Sequence, residues 1–189
     1  MTTDEPAIDV LSAAALRAHA ASLHGLLADA ILDNASVGYV WPLDEGAVAA
    51  SWRDWIGEVE RGERIVLAAR EGLAEVAGCV HLVPCGKPNQ PHRADVQKLL
   101  VHRRFRGRGL GRALMDAVEG HALALGRTLL VLDTRTGSAA ETLYRRAGWT
   151  PFGVVPGFAL DPDGTPADCT FFWKRLDATG ARQPPQGAS

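Results

Sequence analysis

Two hydrophobic periodicities divide this chain. From Ser12 onward Leu16, Leu23, Leu26, Leu27 and Ile31 recur near helical spacing, which predicts an alanine-rich helix capped by Ser12. Asn34-Ala-Ser-Val-Gly38 breaks it, and Tyr39 to Pro42 leads to a second helix capped by Asp44. That helix carries Val48, Trp52, Trp55, Ile56 and Val59 on one side and ends near Gly62. Ahead of both, Ala7 to Leu11 reads as a short strand.

After Gly62 the pattern changes to β-branched runs. Arg64–Arg70 and Leu73–Pro84 read as strands around Glu71-Gly72, a hairpin signal. Gly86–Pro91 is a loop of breakers, and Arg93–Val101 is another strand. Leu110, Leu114, Ala117, Val118, Ala122 and Leu125 mark an amphipathic helix that stops at Gly126. Thr128–Asp133 is a continuous apolar strand of the kind buried on both faces. Ser138–Ala147 is a short helix stopped by Gly148. Two last strands, near Thr150–Val155 and Asp168–Leu176, flank a turn at Asp161–Thr165. The tail after Asp177 is expected to be disordered, which leaves residues 1–177 as one domain. This order predicts a mixed α/β fold. The strand-helix-strand unit over 93–133 must be a right-handed parallel crossover if both strands share a sheet, and ligands favour the carboxyl ends of such strands.

Composition narrows the function classes. With 189 residues, 47% hydrophobic and 22% charged, the chain reads as one ordinary globular domain that needs neither disulfide nor metal to fold. A net charge of -2 argues against general affinity for nucleic acid. Cys79, Cys85 and Cys169 form no CxxC pair and read as reduced thiols. The six histidines fall without metal-ligand spacing, and no HExxH or GxSxG motif occurs, so no metal site and no covalent serine are expected. MTTDEPAIDV lacks the pattern of a signal peptide, and no run is apolar enough to span a membrane. The expectation is a cytoplasmic protein without membrane association.

The strongest motif is Arg106-Gly-Arg-Gly-Leu-Gly111, followed by Arg112, between a strand and a helix. Unpaired N–H groups at a helix start attract phosphate oxygens, Gly107, Gly109 and Gly111 admit close backbone approach, and Arg106, Arg108 and Arg112 add charge-assisted hydrogen bonds. A diphosphate ligand fits. Competing readings are a solvated basic turn, a nucleic-acid contact through Arg103–Arg108, and a dinucleotide site with Asp133 as its ribose acid. Against the last, Arg112 stands where GxGxxG needs its third glycine.

Leu99-Leu-Val101 followed by Arg106–Gly111 resembles the acetyl-CoA signature of the GNAT superfamily. Ala140-Glu-Thr-Leu-Tyr144-Arg-Arg-Ala-Gly148-Trp149 resembles a later segment of the same superfamily. Arg93–Val101, Leu132-Asp-Thr134, Gly137-Ser138, Pro162-Asp-Gly164, Ala35–Gly38 and Lys87-Pro-Asn89 are similar to the tabtoxin resistance acetyltransferases. That likeness spans roughly 34–176 and departs in the first helix and the tail. It implies a GNAT fold: a twisted, mostly antiparallel sheet splayed at one parallel pair, with helices on both faces. It also implies acetyl-CoA as cosubstrate and a small-molecule primary amine, of an amino-acid-like toxin or antibiotic, as acceptor. Oligomeric state stays open between monomer and homodimer.

The resemblance also assigns roles. Leu99, Leu100 and Val101 should hold the pantetheine arm through their backbone, with the N–H of Leu100 or Val101 facing the oxyanion. Leu110 belongs to the phosphate loop. Ser138 stands near the asparagine that many members use to hold the cofactor, where this chain has Gly137. Tyr144 is the expected general acid, because a phenol is protonated at neutral pH; a core tyrosine is the competing reading. Asp133 matches the second catalytic position, against a cap or loop carboxylate, and Asp95 is a further candidate base. Trp41, Trp52 and Trp55 read either as walls of an acceptor pocket or as core aromatics.

Overall fold

The computed structural model describes residues 7–71 and 75–177. A short strand, β1 (Ile8–Leu11), leads into α1 (Ala13–Ala18), α2 (Ala20–Leu32) and α3 (Glu45–Glu60). Ser12 and Asp44 cap α1 and α3 as expected, accepting from Ala15 N at 3.2 Å and Ala47 N at 3.1 Å. The first helical stretch is not continuous: His19 ends α1 and begins α2. Next come β2 (Ile65–Glu71), β3 (Glu75–Pro84) and β4 (Arg93–Val101), then a 3₁₀ turn at Arg103–Phe105. The remaining elements are α4 (Leu110–Ala124), β5 (Leu129–Arg135), α5 (Ala139–Arg146), β6 (Thr150–Leu160) and β7 (Pro166–Arg175). The Gly72 half of the expected hairpin turn and the tail after Asp177 lie outside the described residues.

All seven strands form one sheet in the order β1-β2-β3-β4-β5-β7-β6, antiparallel throughout except for the parallel pair β4–β5. The period-2 alternation of β2 sends Val66 and Ala68 to one face and Leu67 and Ala69 to the other, each into its own core. Leu16, Leu23, Leu27, Ile31, Val48 and Trp52 from α1–α3 fill the first core. Leu110, Leu114, Met115, Val118, Ala122 and Tyr144 from α4 and α5 fill the second. The sheet thus has helices on both faces, as the fold expectation required.

Two departures from regularity position the site. The β4–β5 pairing covers only Arg93↔Leu129, Ala94↔Leu130 and Asp95↔Val131; beyond it the strands part. The β3–β4 ladder jumps from Cys79↔Leu100 to His81↔Gln97, so Lys98 and Leu99 oppose one residue in a bulge. Lys98 there adopts φ 51°.

Candidate active site

The end of β4 becomes a free backbone edge because of this parting. The Leu100 carbonyl faces β3, where a Cβ on Gly78 would lie 2.7 Å from it. One residue on, the Val101 carbonyl faces away and accepts Arg106 Nε at 3.1 Å, while His102 N turns back to Ala77 O at 3.0 Å. Alternation along a strand therefore points Val101 N–H, and Leu99 with it, toward the gap beside β5. Of the two N–H groups expected from the sequence, Val101 has this direction and Leu100 does not.

Below that edge lies the basic loop. Gly107 and Gly109 have φ 74° and 81°, the left-handed region that side chains resist, and a Cβ on either would meet no atom within 4 Å. Gly109 is the N-cap of α4 and brings no side chain to its exposed N–H groups. Gly111 differs: its missing Cβ would sit 2.9 Å from Leu143 Cδ1, so it brings α4 against α5. The three arginines lie around this opening, each beside a carboxylate: Arg106 on Asp33, Arg108 near Glu71 at 4.0 Å, and Arg112 on Asp116 at 2.8 Å. These pairs are solvent-exposed and weak, so an anionic ligand can replace them. A groove of about 530 Å³, lined by Arg112, Ala139, Thr142, Leu143 and Arg146, continues beside them.

Above the edge, Tyr144 is 6% exposed and packs against Trp149 and Phe172, with centroids 6.1 and 6.0 Å away. Burial, reinforced by the charge of Asp133, raises its phenol above the ordinary value, so it is protonated at neutral pH. Asp133 lies on β5 opposite Phe171 of β7. Its carboxyl is raised by desolvation and by Asp95, with Lys98 opposing; it is open to solvent on one side, so the shift is partial. Asp95 is committed to Arg93 at 2.9 Å. Ser138 accepts from Glu141 N at 3.1 Å and thus caps α5, and its hydroxyl also lies 3.4 Å from Thr134 Oγ1. Trp52 and Trp55 stack edge-on at 4.8 Å over His81 within the core of α3, whereas Trp41 stays 46% exposed.

A strap closes the far side. Ser36 Oγ donates to Leu160 O at 3.1 Å, and Trp41 N donates to Pro162 O at 2.7 Å. Lys98 Nζ donates to Val37 O at 2.7 Å. The α2–α3 connection is therefore tied to β4 at one point and to the β6–β7 turn at two others. Lys98 lies inside the Arg93–Val101 resemblance but had no role of its own there; its backbone and partner reveal it.

A strand edge left without a partner and a glycine helix start flanked by arginines suit a ligand that carries phosphates on an extended arm. Residues 25–149 match the model of the Acetyltransferase (GNAT) family, and the chain belongs to that family. It is similar to the L-methionine sulfoximine/L-methionine sulfone acetyltransferase of Pseudomonas aeruginosa, 29% identical over 174 residues, 89% of this chain and 98% of that protein. Among solved structures, it shares its fold with yncA of Salmonella typhimurium, determined with its cofactor acetyl-CoA (TM-score 0.72, 20% identity, 98% of this chain and 100% of that one). The ribosomal-protein-alanine N-acetyltransferase of Brucella melitensis has the same fold (TM-score 0.71, 23% identity, 90% and 99%). The chain is thus an acetyltransferase that uses acetyl-CoA. No described helix is long and apolar enough to cross a membrane.

Proposed function

We propose that this enzyme acetylates the primary amine of a small, amino-acid-like acceptor, such as a toxin or antibiotic, with Asp133 as base and Tyr144 as acid. What supports the reading is a carboxylate on β5 just beyond the point where it parts from β4, and a buried, protonated phenol on α5. Bound acetyl-CoA supplies the acetyl group as an activated thioester. Its phosphates fit the Gly107–Gly109 opening with Arg106, Arg108 and Arg112, and its pantetheine arm fits the Leu99 and Val101 backbone edge.

The residues divide the proton work. The acceptor nitrogen loses two protons in becoming an amide. Asp133 takes the first, which frees the lone pair for attack. The second, shed once the C–N bond forms, replaces the proton that Tyr144 gives to the departing sulfur. Val101 N–H stabilises the carbonyl oxygen as its charge grows. Likeness to the Pseudomonas acetyltransferase and to the tabtoxin resistance enzymes supports the acceptor class. So does the strap across residues 36–41, which narrows the acceptor side.

An acceptor screen read by release of free CoA thiol, followed by Tyr144→Phe and Asp133→Asn, tests the proposal. Tyr144→Phe should lower kcat by about 10²–10⁴-fold with little change in acetyl-CoA affinity. Asp133→Asn should raise the amine KM or shift the pH profile without weakening CoA. Full activity in both variants would remove the assigned acid and base. Tight CoA binding without turnover on any amine would indicate an acyl-CoA sensor instead.

A further inference from the structure

The groove of about 530 Å³ beside the basic loop falls within the size range of small-molecule sites. One wall is a single face of α5: Ala139, Thr142, Leu143 and Arg146 recur at the i, i+3, i+4 and i+7 spacing. Arg112, from the first turn of α4, lines it from the other helix. The two helices approach closely because Gly111 has no Cβ to strike Leu143. The lining thus combines apolar carbon with two guanidinium groups and holds no carboxylate. The arginines differ. Arg112 Nε is bound to both carboxylate oxygens of Asp116, at 2.9 and 2.8 Å, and its Nη1 reaches the Arg146 carbonyl at 3.4 Å. Arg145 is likewise held, by Glu141 at 2.7 Å. Arg146 has no ion pair among the described residues. Its place in the last turn of α5 suits the helix dipole, but the dipole does not require the side chain to line a groove.

We propose that this groove receives the 3′-phosphoadenosine end of acetyl-CoA and that Arg146 reads its 3′-phosphate. The assignment rests on the reading that places the diphosphate over Gly107–Gly109. From a diphosphate at the start of α4 the ligand extends two arms. The pantetheine arm carries amides and suits the backbone edge at Val101. The other arm ends in a flat base and a phosphate monoester, and it needs a second surface. Arg112 belongs to both the basic loop and the groove, so the two are continuous. Carbon from Ala139 and Leu143 suits the face of a base. The monoester carries about 1.5–2 negative charges at pH 7, and a planar guanidinium without a carboxylate partner is matched to it.

Calorimetry with CoA and with 3′-dephospho-CoA, on wild type, Arg146→Gln, Arg146→Lys and Gly109→Val, tests the assignment without turnover. Wild type should prefer CoA by about tenfold, the lower end for charge-assisted bonds, because Arg146 is exposed. Arg146→Gln should lose most of that preference by weakening CoA alone, with wild-type affinity for 3′-dephospho-CoA. Arg146→Lys, which keeps the charge without the planar fork, should retain part of it. Gly109→Val should weaken both ligands by the same factor and leave the preference intact. Melting curves run beside each titration; a role limited to the helix dipole would lower the melting temperature of Arg146→Gln and leave the preference unchanged. A wild type without preference overturns the 3′-phosphate site outright. A folded Arg146→Gln protein that keeps the preference, or that weakens both ligands equally, overturns the role of Arg146 alone, provided that Gly109→Val has lost affinity. Wild-type affinity for both ligands in Gly109→Val overturns the diphosphate placement and the groove assignment together.

Discussion

Gly78→Ala should destabilise the enzyme although it adds a single methyl group. Gly78 pairs with Val101 where β3 meets the end of β4. A Cβ there would lie 2.7 Å from the Leu100 carbonyl oxygen, 3.1 Å from Leu114 Cδ1 and 3.3 Å from Val101 Cγ2. The first neighbour is ladder backbone and cannot rotate aside, so β3 and β4 must part. Overpacking of this kind costs about 1–3 kcal/mol, and a backbone obstacle belongs at the upper end. Against it stand about 0.4–1 kcal/mol from a stiffer unfolded chain and about 0.8 kcal/mol from one buried methyl. The net loss is about 1–2 kcal/mol, and at roughly 2–4 °C per kcal/mol the melting temperature falls by about 2–8 °C. Gly120→Ala is the control: it lies inside α4, a Cβ would meet nothing within 4 Å, and helix propensity should stabilise it by about 0.5–1 kcal/mol. Paired thermal scans decide the matter. A Gly78→Ala melting temperature equal to or above wild type would refute the close approach of β3 and β4.

Gly109→Val should keep the fold and raise the acetyl-CoA KM, because space around the position is open while φ 81° resists a β-branched residue; a normal KM would make this glycine a turn residue only. Asp29 ties α2 to the 3₁₀ turn after β4, accepting from Arg103 N at 2.9 Å and pairing with its side chain. Burial pulls its carboxyl upward, but these bonds outweigh burial and hold it below the ordinary value. Its stabilisation is therefore full above about pH 4 and is lost as pH falls through the lowered value. Asp29→Asn should cost about 1.5–3 kcal/mol at neutral pH, with the gap to wild type narrowing in acid on chemical denaturation; a gap independent of pH would discount the charge.

Much of this architecture could be read from the residues because local signals agreed with the tertiary outcome. The Ser12 and Asp44 caps, the helix start at Ser138, the glycine stops and the alternating strands all marked real boundaries. The failures have physical causes. His19 interrupts the first helix with neither glycine nor proline nearby, so alanine-rich sequence on both sides concealed the break. β6 runs on to Leu160, past the expected end near Val155 and through Pro156-Gly157; on an edge strand a proline and a glycine are tolerated, and the register shifts there between Val155 and Ala159. The site divides in the same way. Tyr144, Asp133 and the arginine-glycine loop stood in recognisable motifs, whereas Lys98 and Gly78 looked like ordinary strand residues. Their significance lies in a torsion angle and an interstrand distance, neither of which has a sequence pattern.

Both hidden residues belong to one structural event. The bulge inserts one residue into β4, and an inserted residue bends its strand and increases local twist. Pairing with β3 resumes at Leu100 and Val101, where Gly78 permits an approach that any side chain would block. Pairing with β5 has already ended at Asp95, so the bulged end of β4 runs on without a partner on that side. The same event releases the Val101 N–H from the sheet and aims the Lys98 side chain at the Val37 carbonyl. The backbone edge at the end of β4 and the Lys98 contact to the strap are therefore coupled through the bulge. Removal of the inserted residue would return the β3–β4 ladder to register and move the residues on one side of it to the opposite face of the sheet.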